Sequence, residues 1–289
     1  MFLTRSEKIM NVVNWILLGL VGLACLFPIY YTLSISLTSL ESFNKFGFQI
    51  IPSGFSLGAY IQILQKPLIP RAYMNSIIIT VGGTLLNMVL TILTAFPLAN
   101  KRLPGRNFFL GAILFTLVFS GGLIPLFILI RNLNLNNTYW AVILPGAIWS
   151  WNVLILKNFF EAIPQELLEA ARIDGANEFA ILKDIVLPVS KPALATIALF
   201  YGVGHWNDFF YPFMFLTDQK MQPLSVVLRS ILRELLGSAG APLLDRGIIA
   251  PTESTQMAAV FLSIIPILIV YPFLQRYFTK GIMLGSIKG

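Results

Sequence analysis

Long stretches without any charged residue constrain this chain more than any other feature. Such windows cover residues 9–40, 72–100, 107–130, 132–156 and 254–275, and residues 192–216 carry only Asp208. A helix needs about 20 apolar residues to cross the ~30 Å hydrocarbon layer of a bilayer. Each window therefore holds one spanning helix. With 56% hydrophobic and 11% charged residues, the chain is an integral membrane protein.

The predicted architecture is all-α, with six transmembrane helices in a single domain over residues 1–289. The helices are predicted at about Val12–Leu33, Ser76–Leu98, Phe108–Ile130, Tyr139–Leu156, Ala193–Leu216 and Met257–Phe278. The first helix follows a basic start, as a secretory signal would. Its apolar run of about 22 residues exceeds the usual signal length, which favours a retained helix.

The loop at residues 101–106 sets the predicted orientation. It holds three positive charges in six residues, whereas the next short loop has only Arg131. Cytoplasmic loops carry an excess of Lys and Arg, so this loop and both termini are predicted to be cytoplasmic. Residues 157–192 then form a cytoplasmic loop, and residues 217–256 form an external loop. Within the latter, Val226–Leu236 has the spacing of an amphipathic helix, which would lie on the membrane or meet an external partner.

Cysteine, histidine and glycine patterns exclude several kinds of chemistry. A lone Cys25 can form no intrachain disulfide, and a lone His205 cannot build a His-rich metal site. No Gly-x-x-x-x-Gly-Lys-Ser/Thr loop is present, so this chain is not expected to hydrolyse a nucleotide or to bind a cofactor. The net charge of +7 is spread over loops and tails, which suits anionic lipid headgroups rather than nucleic acid.

The loop at residues 157–192 is predicted to contain two short helices. Pro164 suits the first helical position, and Gly175 can take the left-handed conformation that ends a helix. Asn177 can cap a second helix, which is predicted to end before Pro188. The residue types alone leave two readings open, namely a helix pair resting on the bilayer or a surface that another protein approaches closely.

The spacing in this loop resembles a known motif. Glu169-Ala170-Ala171, Gly175, Ile185 and Leu187-Pro188 resemble the EAA motif of binding-protein-dependent ABC importer permeases. The longer string over residues 169–176 is similar to the carbohydrate-uptake branch of that family. This branch includes the maltose importer's second membrane subunit and the subgroup of alginate and complex-oligosaccharide importers. Further similarity lies at Phe119–Gly122, Asn158–Phe160, Gly204–Asn207 and Gly281–Gly289.

The resemblance implies a transmembrane domain of type I ABC importer architecture in the cytoplasmic (inner) membrane of a bacterium. The implied partners are an ABC ATPase dimer that holds ATP and Mg, a second and different permease chain, and an external binding protein that delivers an oligosaccharide. The chain itself would be non-catalytic. The residues implied in ATPase coupling are Glu169, Ala170, Ala171, Asp174, Gly175, Ile185, Leu187 and Pro188.

The fifth predicted helix carries a candidate sugar pathway. Tyr201, His205 and Asp208 are four and three residues apart and so share one helix face, with Trp206, Asn207 and Tyr211 nearby. Aromatic rings, amides and acids suit sugars, and intramembrane ionisable groups tend to face a cavity. An interfacial aromatic belt with a packed polar pair is the structural alternative.

Gly121, Gly122 and Pro125 are predicted to weaken or kink the third helix, either as a gating hinge or as a static kink.

Three functional classes remain open from the residues. The first is an ABC importer permease, for an oligosaccharide or for another solute. The second is an ion-coupled secondary transporter, which usually carries ionisable residues in several helices. The third is a membrane enzyme or receptor. Scattered external Lys and Arg would tolerate an acidic sugar such as alginate.

Overall fold

A computed structural model describes residues 4–39, 42–43, 51, 54–237 and 252–285, and the described residues form helices without a strand. In chain order the helices are α1 (Arg5–Ser36), α2 (Gly58–Leu64), α3 (Leu68–Ala99), α4 (Arg106–Val118), α5 (Leu123–Asn132), α6 (Trp140–Gly146), α7 (Ser150–Glu161), α8 (Gln165–Ile173), α9 (Glu178–Val189), α10 (Lys191–Asn207), α11 (Phe210–Phe215), α12 (Leu224–Gly237) and α13 (Thr252–Gly285). Two compact units are present. One comprises Met1–Ile69 with Leu228–Pro266, and the other comprises Pro70–Val227 with Ile267–Gly289.

In the first unit, α1 begins with a reciprocal cap. Thr4 Oγ1 accepts from the Glu7 amide at 3.4 Å, and Glu7 Oε2 accepts from the Thr4 amide at 2.6 Å. Most α1 side chains before Tyr30 are exposed. At the other end of α1, Ser36 Oγ lies 2.7 Å from the Tyr60 hydroxyl of α2. The apolar length of α1 is thus attached within its unit mainly through its last turn.

In the second unit, an apolar core joins the ends of α3 and α7 to α8, α9 and the start of α10. Its buried members include Leu98, Leu156, Phe160, Ile181 and Val186. The core therefore lies directly beside the loop that carries the EAA-like motif, and it determines how that loop is supported.

Three helices are long and apolar enough to cross a membrane, by length and composition. Among the described residues these are Ser6–Ser36, Leu68–Ala99 and Glu253–Pro272. They coincide with the first, second and sixth predicted helices. Three bent pairs, namely α4 with α5, α6 with α7 and α9 with α10, raise the count to six if each pair is one span.

The third predicted helix is broken where a kink was predicted, whereas the prediction of uninterrupted fourth and fifth helices was wrong. The axes of α4 and α5 differ by 112°, since Gly122 adopts φ +82° and breaks the helix between Val118 and Leu123. Gly122 and its neighbour Gly121 were expected to weaken this helix. Pro125 lies in the first turn of α5, where its missing N–H costs no hydrogen bond.

The other two interruptions were not anticipated. The axes of α6 and α7 differ by 51°, after a last turn of α6 that contains Pro145 and Gly146. The fifth predicted helix, Ala193–Leu216, ends at Asn207, and Asp208 is extended with φ −64° and ψ 121°. The Asp208 carboxylate accepts from the Phe210 amide at 3.0 Å and so starts the separate helix α11.

The amphipathic helix predicted at Val226–Leu236 is confirmed as α12. Val226, Val227, Leu228 and Ile231 are buried, whereas Arg229 is exposed. Apolar side chains that recur at helical spacing therefore face inward here, as the pattern predicts.

Candidate functional site

The EAA-like segment forms a helix, a tight turn and a second helix. Pro164 is the N-cap of α8, one residue before the position predicted for it, and Glu166 and Arg172 suit the two ends of the helix dipole. Gly175 adopts φ +85°, and no heavy atom lies within 4 Å of where its Cβ would be. The requirement for glycine is therefore conformational rather than steric. Asn177 Oδ1 accepts from the Ala180 amide at 2.8 Å and caps α9 as predicted.

The second helix does not end before Pro188, so that prediction was wrong. Residues Ile181–Val186 form a π-turn, and α9 continues through Pro188 to Val189. A π-turn bonds residues five apart and widens the helix, which accommodates the missing N–H and the ring of Pro188. The axis then changes by 85° between α9 and α10.

The motif residues divide into an exposed set and a packed set. Glu169, Ala170, Asp174, Gly175 and Pro188 are exposed. Ala171, Ile185 and Leu187 pack against the apolar core of the second unit. The packed set attaches the loop to the helices, and the exposed set faces outward, where another protein can reach it.

Large apolar side chains are also exposed beside the motif. Ile173 is 86% exposed, Phe179 is 70% exposed and Leu167 is 50% exposed. Exposed apolar groups clustered around one turn mark a surface that another protein or a membrane covers. We call Leu167, Ile173 and Phe179 the apolar rim of the loop.

The basic loop at residues 101–106 contacts this segment through ion pairs. Arg102 Nη2 lies 3.5 Å from Glu169 Oε1 of the motif. In the described structure three basic side chains meet Glu161 at the end of α7, namely Lys101 at 3.7 Å, Arg106 at 3.2 Å and Lys157. Glu161 was missed in the sequence: its spacing of four from Lys157 is a local signal, but the approach of Lys101 and Arg106 from a distant loop leaves none.

A further ion pair closes the turn itself. Arg172 Nε lies 2.9 Å from Glu178 Oε1, and this hydrogen bond raises the pKa of the Arg172 guanidinium above its usual value. Arg172 and Glu178 also border a cavity of about 460 Å³ between the end of α3 and the two loop helices, with Phe96, Phe160 and Leu182 among its apolar walls. The inner face of α8 is therefore incompletely packed.

The predicted sugar-pathway residues lie in different environments. Tyr201 is fully buried and His205 is nearly so, whereas Asn207 is exposed and Trp206 and Tyr211 are half-buried. Asp208 does not share their helix face, because α10 ends before it. The structure brings Tyr201 and His205 together with α3 rather than with Asp208.

Tyr201 and His205 bond to polar residues of α3. The Tyr201 hydroxyl lies 2.7 Å from Thr91 Oγ1, and His205 Nε2 lies 3.1 Å from Asn87 Nδ2. Asn87 and Thr91 were missed in the sequence, although their spacing of four on an apolar helix is a detectable signal of a polar face. Within the described residues, no group of three or more His, Cys, Asp or Glu could hold a metal ion.

Comparisons with known proteins identify the class. Residues 83–284 match the family described as binding-protein-dependent transport system inner membrane component. The chain belongs to this family, and the resemblance seen in the sequence is confirmed. It is a transport permease subunit without catalytic activity, and ATP hydrolysis belongs to a separate ATPase.

Individual relatives are similar over nearly the whole chain. Protein LplC of Bacillus subtilis (strain 168) is 40% identical over 288 residues, which cover 99% of this chain and 97% of that protein. The polygalacturonan/rhamnogalacturonan transport system permease protein YtcP of the same organism is 40% identical over 93% of this chain and 94% of its own length. A solved structure of a bacterial ABC transporter involved in the import of the acidic polysaccharide alginate has a TM-score of 0.87 at 35% identity, and the match covers 96% of this chain and 99% of that chain.

Proposed function

We propose that this chain is one of two different permease subunits of an ATP-driven importer for an acidic oligosaccharide. An external binding protein delivers the sugar, and a partner ATPase dimer holds ATP and Mg. The observation that carries the proposal is the loop 157–192, in which the family's coupling pattern lies on an exposed turn with an apolar rim.

The coupling role follows from what the loop exposes. Glu169 and Asp174 make the exposed surface charged, and Gly175 lets a partner approach the backbone closely. Burial of the apolar rim in a groove of the ATPase would remove its apolar side chains from water, which is favourable. The packed residues of the motif join the loop to the helix core. Closure of the ATPase dimer on ATP would displace the loop and shift the helices between inward-open and outward-open states.

The acidic substrate class is supported by what the relatives carry. YtcP is described as a polygalacturonan/rhamnogalacturonan permease, and the related structure belongs to an importer of the acidic polysaccharide alginate. Galacturonan and alginate chains bear carboxylates on their sugars. An uncharged oligosaccharide is the nearest alternative, and a panel of loaded binding proteins separates the two.

The proposed topology is six spans with both termini in the cytoplasm of a bacterium. Its support is the ion pairing of the basic loop 101–106 with Glu161 and Glu169, since groups in contact lie on the same side of a membrane. The positive charges of that loop favour the cytoplasmic side, which is also where an ATPase is found. Residues 217–256 are then external.

The second permease is supported by α1. The most apolar stretch of this helix has no buried residue, so lipid or a partner chain would cover it. The apolar side chains of a helix that packs so little in its own unit are available to another subunit.

For the sugar pathway, we propose Trp206, Asn207 and Tyr211, together with Asp208, because these side chains are exposed or half-buried. Tyr201 and His205 are buried and would support these side chains from the interior of the helix bundle. Gly121, Gly122 and Pro125 are proposed as a gating hinge, supported by the 112° break at Gly122.

The test is co-purification of the ATPase. The chain is co-expressed with its candidate permease partner and ATPase, extracted in mild detergent and captured by a tag on this chain. The ATPase is expected to co-purify with the wild type and to be lost from a variant in which Ile173 and Phe179 of the apolar rim are both Ser. The double variant Ile51→Ser with Phe55→Ser is the control, because each of these residues is 73% exposed, close to Phe179 at 70%, but lies outside the loop. Failure of the wild type to retain any ATPase would contradict the proposal.

A further inference from the structure

The break between α6 and α7 leaves backbone groups without helical partners inside a charge-free window. Residues 147–149 are not helical. In a membrane every backbone N–H and C=O must find a partner within the protein, so an interruption at this depth requires side chains that supply one. The described structure supplies them from two other helices.

The partners are Asn87 of α3 and Tyr201 of α10. Asn87 Nδ2 donates to the Gly146 carbonyl at 3.0 Å, and the Trp149 amide donates to the Tyr201 hydroxyl at 3.1 Å. One side of the break is thus bonded to α3 and the other side to α10. We call Asn87, Gly146, Trp149 and Tyr201 the junction.

Two further hydrogen-bond contacts hold the side chains of Tyr201 and Asn87 in place. The Tyr201 hydroxyl also lies within hydrogen-bond distance of Thr91 Oγ1, 2.7 Å away. Because the Gly146 carbonyl can only accept, the Asn87 amide must present its NH₂ group there, and its second hydrogen is directed to His205 Nε2 at 3.1 Å. His205 Nε2 is therefore an acceptor. Asn87, Thr91 and Tyr201 are completely buried.

Close packing means that one part of the junction cannot shift alone. A Cβ on Gly83 would lie 2.5 Å from His205 Nε2, and a Cβ on Gly204 would overlap the indole of Trp149. The rings of Trp149 and Tyr201 are 5.0 Å apart. A displacement of α10 is therefore passed directly to Trp149, at the point where the fourth predicted span has lost its helical rigidity.

Two buried oxygen atoms at or beside the junction have no hydrogen-bond partner in the described structure. Among the described residues, Asn87 Oδ1 and Thr84 Oγ1 are buried and have no partner. Thr84 Oγ1 lies 3.7 Å from the position of a Cβ on Gly202 of α10. A fixed scaffold normally satisfies its buried polar atoms. These two oxygens place further hydrogen-bond acceptors on the face of α3 beside α10.

We propose that Tyr201 is a positioning residue for transport, whose hydroxyl couples the loop helix α10 to the break at residues 147–149. Displacement of the loop 157–192 reaches Tyr201 along ten residues of α10, or ~15 Å at a rise of ~1.5 Å per residue. Through Trp149 the displacement then bends the fourth predicted span. This inference rests on the proposed importer function and adds the path by which its coupling loop acts on the membrane helices.

The test is Tyr201→Phe in the complete importer, reconstituted in liposomes with its binding protein and substrate. Phenylalanine keeps the ring beside Trp149 and removes only the hydroxyl. Uptake and ATP hydrolysis are measured in the same vesicles. The number of substrate molecules imported per ATP is expected to fall about fivefold, the effect of one lost intramembrane hydrogen bond, while abundance in the membrane stays within about twofold of wild type.

Two matched variants serve as controls. Tyr271→Phe removes the same hydroxyl from a half-exposed tyrosine of α13. Thr94→Val removes a hydroxyl of α3 that donates to the Leu90 carbonyl of its own helix. Both should keep the wild-type ratio. Thr91→Val should lower the ratio less than Tyr201→Phe, because the bond from Trp149 remains.

Each outcome is decisive. A parallel loss of abundance, ATPase activity and uptake in Tyr201→Phe would assign the hydroxyl to static packing and overturn the inference. An unchanged ratio with normal abundance would overturn it as well, while the importer function would stand. Absence of ATP-driven uptake by the wild-type complex with every sugar tested would instead overturn the proposed function, and the inference with it.

Discussion

Replacement of Glu161 by Gln should destabilise the support of the coupling loop. Glu161 is 22% exposed and meets Arg106, which is 18% exposed, and Lys157, which is 11% exposed; the third partner, Lys101, is 75% exposed. An exposed pair contributes at most about 1 kcal/mol, whereas removal of one partner from a fully buried pair costs about 3–5 kcal/mol. Glu161→Gln leaves two mostly buried cations without their anion, although glutamine retains one hydrogen bond. We therefore expect the free energy of unfolding to fall by about 2 kcal/mol.

The assay is thermal unfolding of the purified chain in detergent, followed by light scattering and tryptophan fluorescence. At about 2–4 °C per kcal/mol for a chain of this size, the midpoint should fall by ~6 °C. Glu178→Gln is the matched control, since its carboxylate is 60% exposed and its partner Arg172 is 35% exposed, so its midpoint should change by less than ~3 °C. Equal shifts in the two variants, or no shift in Glu161→Gln, would show that the burial of the Glu161 ion pairs does not stabilise the protein.

Three further predictions concern the loop and the pathway. Gly175→Ala should weaken ATPase binding about fivefold in a titration, because φ +85° costs alanine about 1 kcal/mol while its methyl group meets no neighbour; Gly175→Asn should cost less, and equal affinities for all three would contradict this. Glu169→Lys should leave membrane insertion intact but abolish ATPase co-purification, because it reverses a charge on the exposed surface proposed to dock on the ATPase; retained transport would argue against it. Trp206→Ala should lower sugar uptake more than membrane abundance, and equal losses would assign Trp206 to packing.

Local rules explain what the sequence could predict. The helix, turn and cap of the loop could be predicted from the sequence. This is because Pro164, Gly175 and Asn177 act through their own backbone conformation or through hydrogen bonds to residues a few positions away. The Gly121-Gly122 interruption was readable for the same reason. The end of α9 was not, because the π-turn at Ile181–Val186 let the helix pass through Pro188.

Tertiary contacts explain what the sequence could not predict. Glu161 gains its importance from Lys101 and Arg106, which are more than fifty residues away in the chain. Tyr201 and His205 were visible as polar groups in an apolar helix, but whether they faced a sugar path or another helix depended on α3. The structure gives them α3 partners, and these contacts are the basis for the positioning role proposed for Tyr201.

The most direct test of the account is ATPase activity of the complete complex in liposomes. The chain, its permease partner and the ATPase are reconstituted with binding protein that is empty, loaded with an acidic oligosaccharide such as an oligogalacturonate or oligoalginate, or loaded with an uncharged one. We expect the binding protein loaded with the acidic oligosaccharide to stimulate ATP hydrolysis and Glu169→Lys to abolish the stimulation. A hydrolysis rate that does not change with the loaded binding protein, or stimulation that persists in Glu169→Lys, would contradict the proposed importer function.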